Sequence, residues 1–215
     1  NKALAAITQR TSSFSNVATN STSLNTGAQV FSASYVSGVW TGAVKAQAVS
    51  RTGVSGTASW TATIPAAGSR HIFTASGTPG QAGSAGAAFP TAAQITALDN
   101  SGVGPANYEV GGSDNAAYIK GDASKEERNG LSNLRNRTTT VLGDIVGSSP
   151  AYVPGGAAGD GTTSGTLYVG ANDGMLHAFD AGNGQELFAY VPNLINFGNL
   201  KQLSRGDYDH KFFVD

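Results

Sequence analysis

Cysteine is absent from this chain, and that excludes disulfides, thiolate catalysis and cysteine-based zinc sites together. Charge is sparse: 13 % of the 215 residues, 13 basic against 14 acidic, for a net charge of −1. So balanced a chain carries no electrostatic footprint for nucleic acid or an anionic membrane. No apolar run approaches the ~18 residues that span a bilayer. The sequence opens on Asn1 rather than Met, which reads as a processed terminus or a fragment of a longer protein. Glycine, by contrast, is abundant at 29 residues. That composition favours a β-rich, loop-rich, extracellular style of protein over a helical enzyme. The length allows one good core or two small ones.

Residues 165–192 organise the rest. Leu167, Tyr168 and Val169 run into Asn172-Asp173-Gly174. Asp-Gly is a strong hairpin signal because the turn needs positive φ. A second run over 175–180 meets Ala181-Gly182-Asn183-Gly184, and a third covers 186–191. Together they predict an antiparallel three-stranded meander. Leu187, Ala189 and Val191 share one face of the last strand, Phe188 and Tyr190 the other; Leu176 and Ala178 oppose His177 and Phe179. Both faces are apolar, so both need a cover, as in one blade of a β-propeller. Tyr168-Val169-Gly170, Asp173-Gly174, Ala178-Phe179-Asp180 and Gly184 resemble the blade repeat of the quinoprotein-dehydrogenase-like propellers. That repeat is structural and is no evidence of quinone chemistry.

Elsewhere, Leu4 and Ile7 among alanines predict a short helix over 2–9, and the Ser, Thr and Asn of 14–24 predict extended chain or loop. Alternation predicts strands over 29–35, 40–49, 58–64 and 70–75, the last three forming a first antiparallel unit. In it Trp40, Val44, Ala46 and Ala48 face one way and Lys45 and Gln47 the other. Residues 77–88 and 154–165 read as flexible Gly-rich loops. Gly80, Gly83 and Gly86 do not make a phosphate loop, since no Lys-Ser/Thr follows. Thr91 with Gln94, and Ser124 with Glu127, have capping-box spacing, and each predicts a short helix. Residues 138–153 predict two short strands, or one bent by Pro150. Leu194, Ile195, Phe197, Leu200 and Leu203 suggest a short helical or irregular segment, and 212–215 a last strand. A propeller closes with ~4–8 blades of four strands, and this chain supplies strands for two to three. Residues 1–215 are therefore expected to be part of one propeller domain of a larger protein.

A set of motifs in fixed order narrows this further. It comprises Tyr118-Ile119-Lys120-Gly121-Asp122, Lys125-Glu126, Leu134-Arg135-Asn136-Arg137, Leu142-Gly143-Asp144-Ile145-Val146 and Ser148-Ser149-Pro150. It continues through Gly170-Ala171-Asn172-Asp173-Gly174-Met175-Leu176-His177-Ala178-Phe179, Ala189-Tyr190-Val191-Pro192-Asn193 and Tyr208-x-His210-x-Phe212-Phe213-Val214-Asp215. With Val17-Ala18 and Trp40-Thr41-Gly42 upstream, nearly all of the chain resembles the PilC/PilY-type pilus-tip adhesin family of type IV pili. Arg135, Arg137, Gly143, Asp144, Gly170, Asp173 and Gly174 form the structural motif of that resemblance. It implies a mainly β, modified β-propeller C-terminal domain with a few short helices, of which this is the N-terminal part. It further implies a preceding von Willebrand A-like domain, minor pilins as partners, and a place at the pilus tip, outer membrane or secreted cell surface. The implied role is non-enzymatic: pilus assembly and extension against retraction, twitching motility, and attachment to host-cell or abiotic surfaces. Calcium is implied for the parent protein, in a loop later in the propeller. Asp99-Asn100, Asp114-Asn115 and Asp160 lack the alternating oxygen ligands of such a loop, so no cofactor or metal ligand is assigned here.

Two tripeptides, Arg205-Gly206-Asp207 and Lys120-Gly121-Asp122, are candidate receptor-binding turns, but three-residue motifs are weak signals and a plain surface turn is the preferred reading of each. His71, His177 and His210 have no ligand spacing and read as core or edge residues. Arg135 and Arg137 stand at strand spacing, with Asp144 or the Glu126/Glu127 pair as expected ion partners. Asp173, Asp180 and Glu186 have the composition of an acid/base set, but turn and strand-end roles account for them. Ser148-Ser149 lacks a nucleophile elbow, and no nucleophile, base and orienter assemble. The rival expectations are a quinoprotein-like dehydrogenase, which needs a catalytic Asp beside a bound quinone, and an outer-membrane assembly scaffold with evenly spaced blades.

Overall fold

The computed structural model describes residues 11–12, 17–20, 28–77, 82–129, 134–155 and 164–215. The helix expected over 2–9 lies outside them, as do most of 14–24 and of the 154–165 stretch. The described chain is mainly β, in two sheets with three short helices. The first sheet holds β1 (Thr11–Ser12), β2 (Val17–Thr19), β3 (Gln29–Val36), β4 (Thr41–Ser50) and β5 (Gly53–Thr61). Its order is β1-β3-β4-β5, with β2 also on β3, all antiparallel. The second holds β6 (Ile72–Ser76), β7 (Ala85–Ala88), β8 (Ala151–Val153), β9 (Thr166–Ala171), β10 (Met175–Asp180) and β11 (Glu186–Val191). Its order is β7-β6-β11-β10-β9-β8. The expected meander is β9 to β11, and β8 extends it to four consecutive antiparallel strands.

Several expectations need correction. The 70–75 strand is β6, but it leaves the first unit and pairs in parallel with β11. Alternation identifies a strand without naming its neighbour; here Thr74 Oγ1 donates to Val191 O and Arg70 reaches Glu186. Within the supposed loop 77–88, Ala85–Ala88 is a strand, invisible to alternation because its side chains are methyls and hydrogens. Of 138–153 only β8 is a strand, since backbone bonds there leave the ladder: Gly42 N donates to Leu142 O, and Gly143 N to the Asp173 carboxylate. Residues 212–215 form no strand either; Phe213 N donates to the Asn172 side chain. Trp40 sits in the turn before β4 at φ 53 rather than on its face.

Helix α1 (Ala92–Leu98) starts at the expected box: Thr91 Oγ1 accepts from Gln94 N and Gln94 Oε1 from Thr91 N. The second expected helix is only a 3-10 turn, Glu127–Asn129, because Glu126 is drawn into Arg137. The true second helix is α2 (Gly112–Ile119), whose N-terminal Gly112 N–H donates to Asp99, a cap 13 residues away and hidden from local pattern. Residues Phe197–Leu200 form α3.

One face of the second sheet supplies both halves of the core. Met175, Ala189 and Val191 pack with Ile72, Leu98, Tyr118, Ile119 and Leu200. Leu167, Val169 and Phe179 pack with Phe31, Val44, Ala46 and Trp60 of the first sheet. A β-bulge between β10 and β11 pairs Phe179 with Glu186 instead of Leu187. Glu186 thus takes the inner-face place expected of Leu187. The outer face carries half-exposed aromatics, with Phe188 edge-on to Phe73 at 6.0 Å and to Tyr168 at 6.3 Å. Trp60 pins the sheets: its ring lies 5.8 Å from Phe31 and its Nε1 donates to Ala181 O at 3.0 Å. Gly184, at φ 76, passes directly under that ring, and a Cβ there would strike it. Gly184→Ala is expected to cost about 2–4 kcal/mol, from left-handed backbone plus displaced indole. Gly56→Ala, with open space around it, should stay within about 0.5 kcal/mol. Thermal unfolding of the two variants checks this.

Candidate functional site: a buried charge network beneath the meander

The bulge at β11 and the Asp-Gly turn bring two carboxylates onto one imidazole. His177 is fully buried on the inner face of β10. Its Nδ1 lies 2.8 Å from Glu186 Oε1, and its Nε2 3.1 Å from Asp173 Oδ2. Arg70 closes a two-pronged pair on Glu186, Nε to Oε2 and Nη2 to Oε1, each 2.7 Å. The same guanidinium donates through Nη1 to Lys120 O at 2.9 Å. Asp173 accepts from Gly143 N at 2.9 Å and Met175 N at 3.2 Å. Burial alone would push both carboxyls up and the imidazole down. The facing charges overrule it. Asp173 and Glu186 raise His177 to about 9, and His177 in turn helps hold both carboxyls below their ordinary values. The imidazolium is thus closed in on both nitrogens by carboxylates, an arrangement that retains a proton rather than passing it on.

Asp180 stays outside this network: it accepts from Ser164 Oγ at 2.6 Å and Gly182 N at 2.7 Å. The three acids of the supposed acid/base set therefore do not converge; two of them meet through His177.

The other motif residues build two neighbouring clusters. Arg137 pairs with buried Glu126 at 2.8 Å, donates to Tyr118 O and Asp122 O, and lies 3.6 Å over the Tyr118 ring. Arg135 goes elsewhere, to Leu203 O at 3.0 Å and Val39 O at 2.8 Å, over the Tyr208 ring. Asp144 accepts from Asn172 Nδ2 at 2.8 Å and faces His210 Nε2 at 2.6 Å, where Trp40 stacks on the imidazole. Asp215 is cradled by the N–H groups of Val146, Gly147 and Ser148. Gly143 and Gly170 let backbone through, since a Cβ at either would strike Asp173 N or Val214 O.

Of the tripeptides, the Arg205 turn lies apart from the network, whereas Lys120 and Asp122 meet Arg70 and Arg137 through their backbone carbonyls. Arg205 folds onto its own Asp207, Nε to Oδ1 at 2.8 Å and Nη2 to Oδ2 at 2.7 Å, and donates to Val103 O. Its side chain is 10 % exposed against 35 % for Asp207; Gly206 is exposed. Lys120 caps α2, Gly121 follows in the turn, and Asp122 Oδ1 accepts from Ser124 N. No group of three or more His, Asp or Glu side chains placed to hold a metal ion occurs among the described residues. Arg70 was missed by sequence reasoning; its only signal was a charged residue at the entry to an apolar strand.

Comparison with known proteins supplies the family. A type IV pilus biogenesis factor PilY1 homolog of Xylella fastidiosa is 32 % identical over 218 residues, covering 93 % of this chain and 16 % of that protein. The type IV pilus biogenesis factor PilY1 of Pseudomonas aeruginosa strain PAK is 39 % identical over 126 residues, covering 48 % of this chain and 10 % of that protein. The chain belongs to the PilY1-type family. It spans about a sixth of the length of the Xylella relative. No family model and no solved structure matches it.

In this PilY1-type segment the charge network sets a pH window. His177 titrates higher folded than unfolded, about 9 against 6.5, so its contribution is complete below 6.5 and is lost as pH rises through 9. Asp173 and Glu186 titrate lower folded, so theirs is complete above their ordinary values of 3.8 and 4.5 and is lost as pH falls further. Urea unfolding against pH should show a plateau falling on both sides. His177→Gln should remove the alkaline fall and, by leaving two buried carboxylates short of a counter-charge, cost about 3–5 kcal/mol at neutral pH.

Proposed function

We propose that this chain is part of the propeller of a non-enzymatic type IV pilus biogenesis factor at the cell surface. It would act at the pilus tip in extension against retraction, twitching motility and attachment. The observation that carries this is the match along 93 % of the chain to a PilY1 homolog. The proposed partners are minor pilins, a host-cell or abiotic surface, and a von Willebrand A-like domain of the parent chain, with calcium bound elsewhere in that parent. Strands β8 to β11 are the proposed blade. Its inner face is sealed by the core, while Tyr168, Leu176, Phe188 and Tyr190 on the other side remain partly open, as a face that stacks on a neighbouring blade would be.

Deleting the gene should abolish surface pili, counted by electron microscopy, and disabling retraction should restore them. Normal pili with normal attachment would overturn the proposal. Within the whole protein, Phe188→Lys should sharply reduce protease-resistant folded material if the aromatic face is covered. On an open face the same change would be nearly neutral. For attachment through the tripeptides, Asp207→Ala or Asp122→Ala should weaken host-cell binding, and unchanged binding by both counts against that role.

A further inference from the structure

A sheet edge exposes unpaired backbone donors and acceptors, and proteins usually guard it with brevity, proline, charge or bulges. Most edges described in this chain are guarded. β1 and β2 have two and three residues. β8 has three, between Pro150 and Pro154. β5 is long, but two register shifts break it, and Ser55 Oγ accepts from Thr57 N and donates to Thr57 O across the bulge. The edge at β7, four residues long, has brevity alone among these devices. Its sequence is Ala-Gly-Ala-Ala, with no charge and no proline. Its register on β6 is unbroken over Phe73↔Ala88, Thr74↔Ala87, Ala75↔Gly86 and Ser76↔Ala85.

The hydrogen-bond phase shows which groups are open. Phe89 N donates to Ile72 O, so by alternation Ala87 and Ala85 also turn their backbone groups to β6. Gly86 and Ala88 turn theirs outward, and both residues are solvent-exposed. Phe73 lies beside them on the outer face. It stays 49 % exposed although its strand is paired on both sides, because Ala88 opposite offers only a methyl and Gly86 nothing.

We propose that the outer edge of β7 is a docking site for an extended, uncharged segment of a partner protein. Its alternate side chains are bulky and apolar, and it adds as a further strand. The backbone groups of Gly86 and Ala88 supply the ladder, and a large side chain opposite Ala88 reaches over the small strand to cover Phe73. A neutral edge has nothing to attract a charged segment. A second copy of β7 fits poorly, since its methyls would leave Phe73 bare.

The test uses the full-length protein and a fluorescently labelled, end-capped peptide, Thr-Val-Thr-Phe-Thr-Val-Thr, titrated by anisotropy. Gly86→Pro removes an outward N–H while leaving every β6 bond in place, and a Cβ at that position meets open space. Saturable binding by the wild type and by Gly86→Ala, weakened about tenfold or more in Gly86→Pro, is the expected result. Phe73→Ser, at a half-exposed position, should weaken binding similarly and covers the case in which the proline variant does not fold. Equal binding by wild type and a folded Gly86→Pro, or no binding by wild type at millimolar peptide, overturns the proposal. The latter includes an edge already covered by the protein's own chain.

Discussion

The fold depends on one buried imidazolium. His177 lies where the meander meets the rest of the chain, and its two nitrogens commit the turn at Asp173 and the bulge at Glu186 to fixed positions. Glu186 then fixes Arg70 at the entry to β6, and Arg70 fixes the end of α2 through Lys120 O. Asp173 fixes Gly143. Two positive and two negative groups thus tie four separate segments beneath one sheet. Such a set is balanced only when complete, because each buried charge is costly without its partner. Its contribution is to specify one arrangement among the many that an apolar, glycine-rich sequence could pack into.

The family motif becomes intelligible on these terms. Arg137, Asp144 and Asp173 each anchor a loop that has no ladder of its own, and Gly143 and Gly170 let those loops approach within backbone contact. Among the described residues between α2 and β8, side-chain-to-backbone bonds therefore supply much of the anchoring, beside one 3-10 turn and a few isolated backbone bridges. In a chain with few charges, a group of them, Arg70, Glu126, Arg137, Asp144, Asp173 and Glu186, is spent inside.

Much of the second sheet was legible locally. Asp173-Gly174 and the apolar runs beside it place three strands without any tertiary knowledge, and Thr91 with Gln94 marks a helix start correctly. Less of the charge network was legible. His177 reads as a core or edge histidine, and Glu126 as one of several partners for Arg135 or Arg137, but nothing near Arg70 in sequence announces Glu186, 116 residues away. Arg135 and Arg137 look equivalent and are not, since what each meets is set by other segments.

What the sequence determined by itself is therefore the local part. Strand and turn positions follow from side-chain alternation and from glycine's freedom at positive φ, and both act over a few residues. Tertiary structure decided the rest. It chose the parallel partner of β6, built a strand from Ala85–Ala88, moved Glu186 inward through a bulge, and started α2 from a distant Asp99. Each of these rests on a hydrogen bond or ion pair between residues far apart in the chain. Such bonds leave no periodic trace in the sequence that makes them.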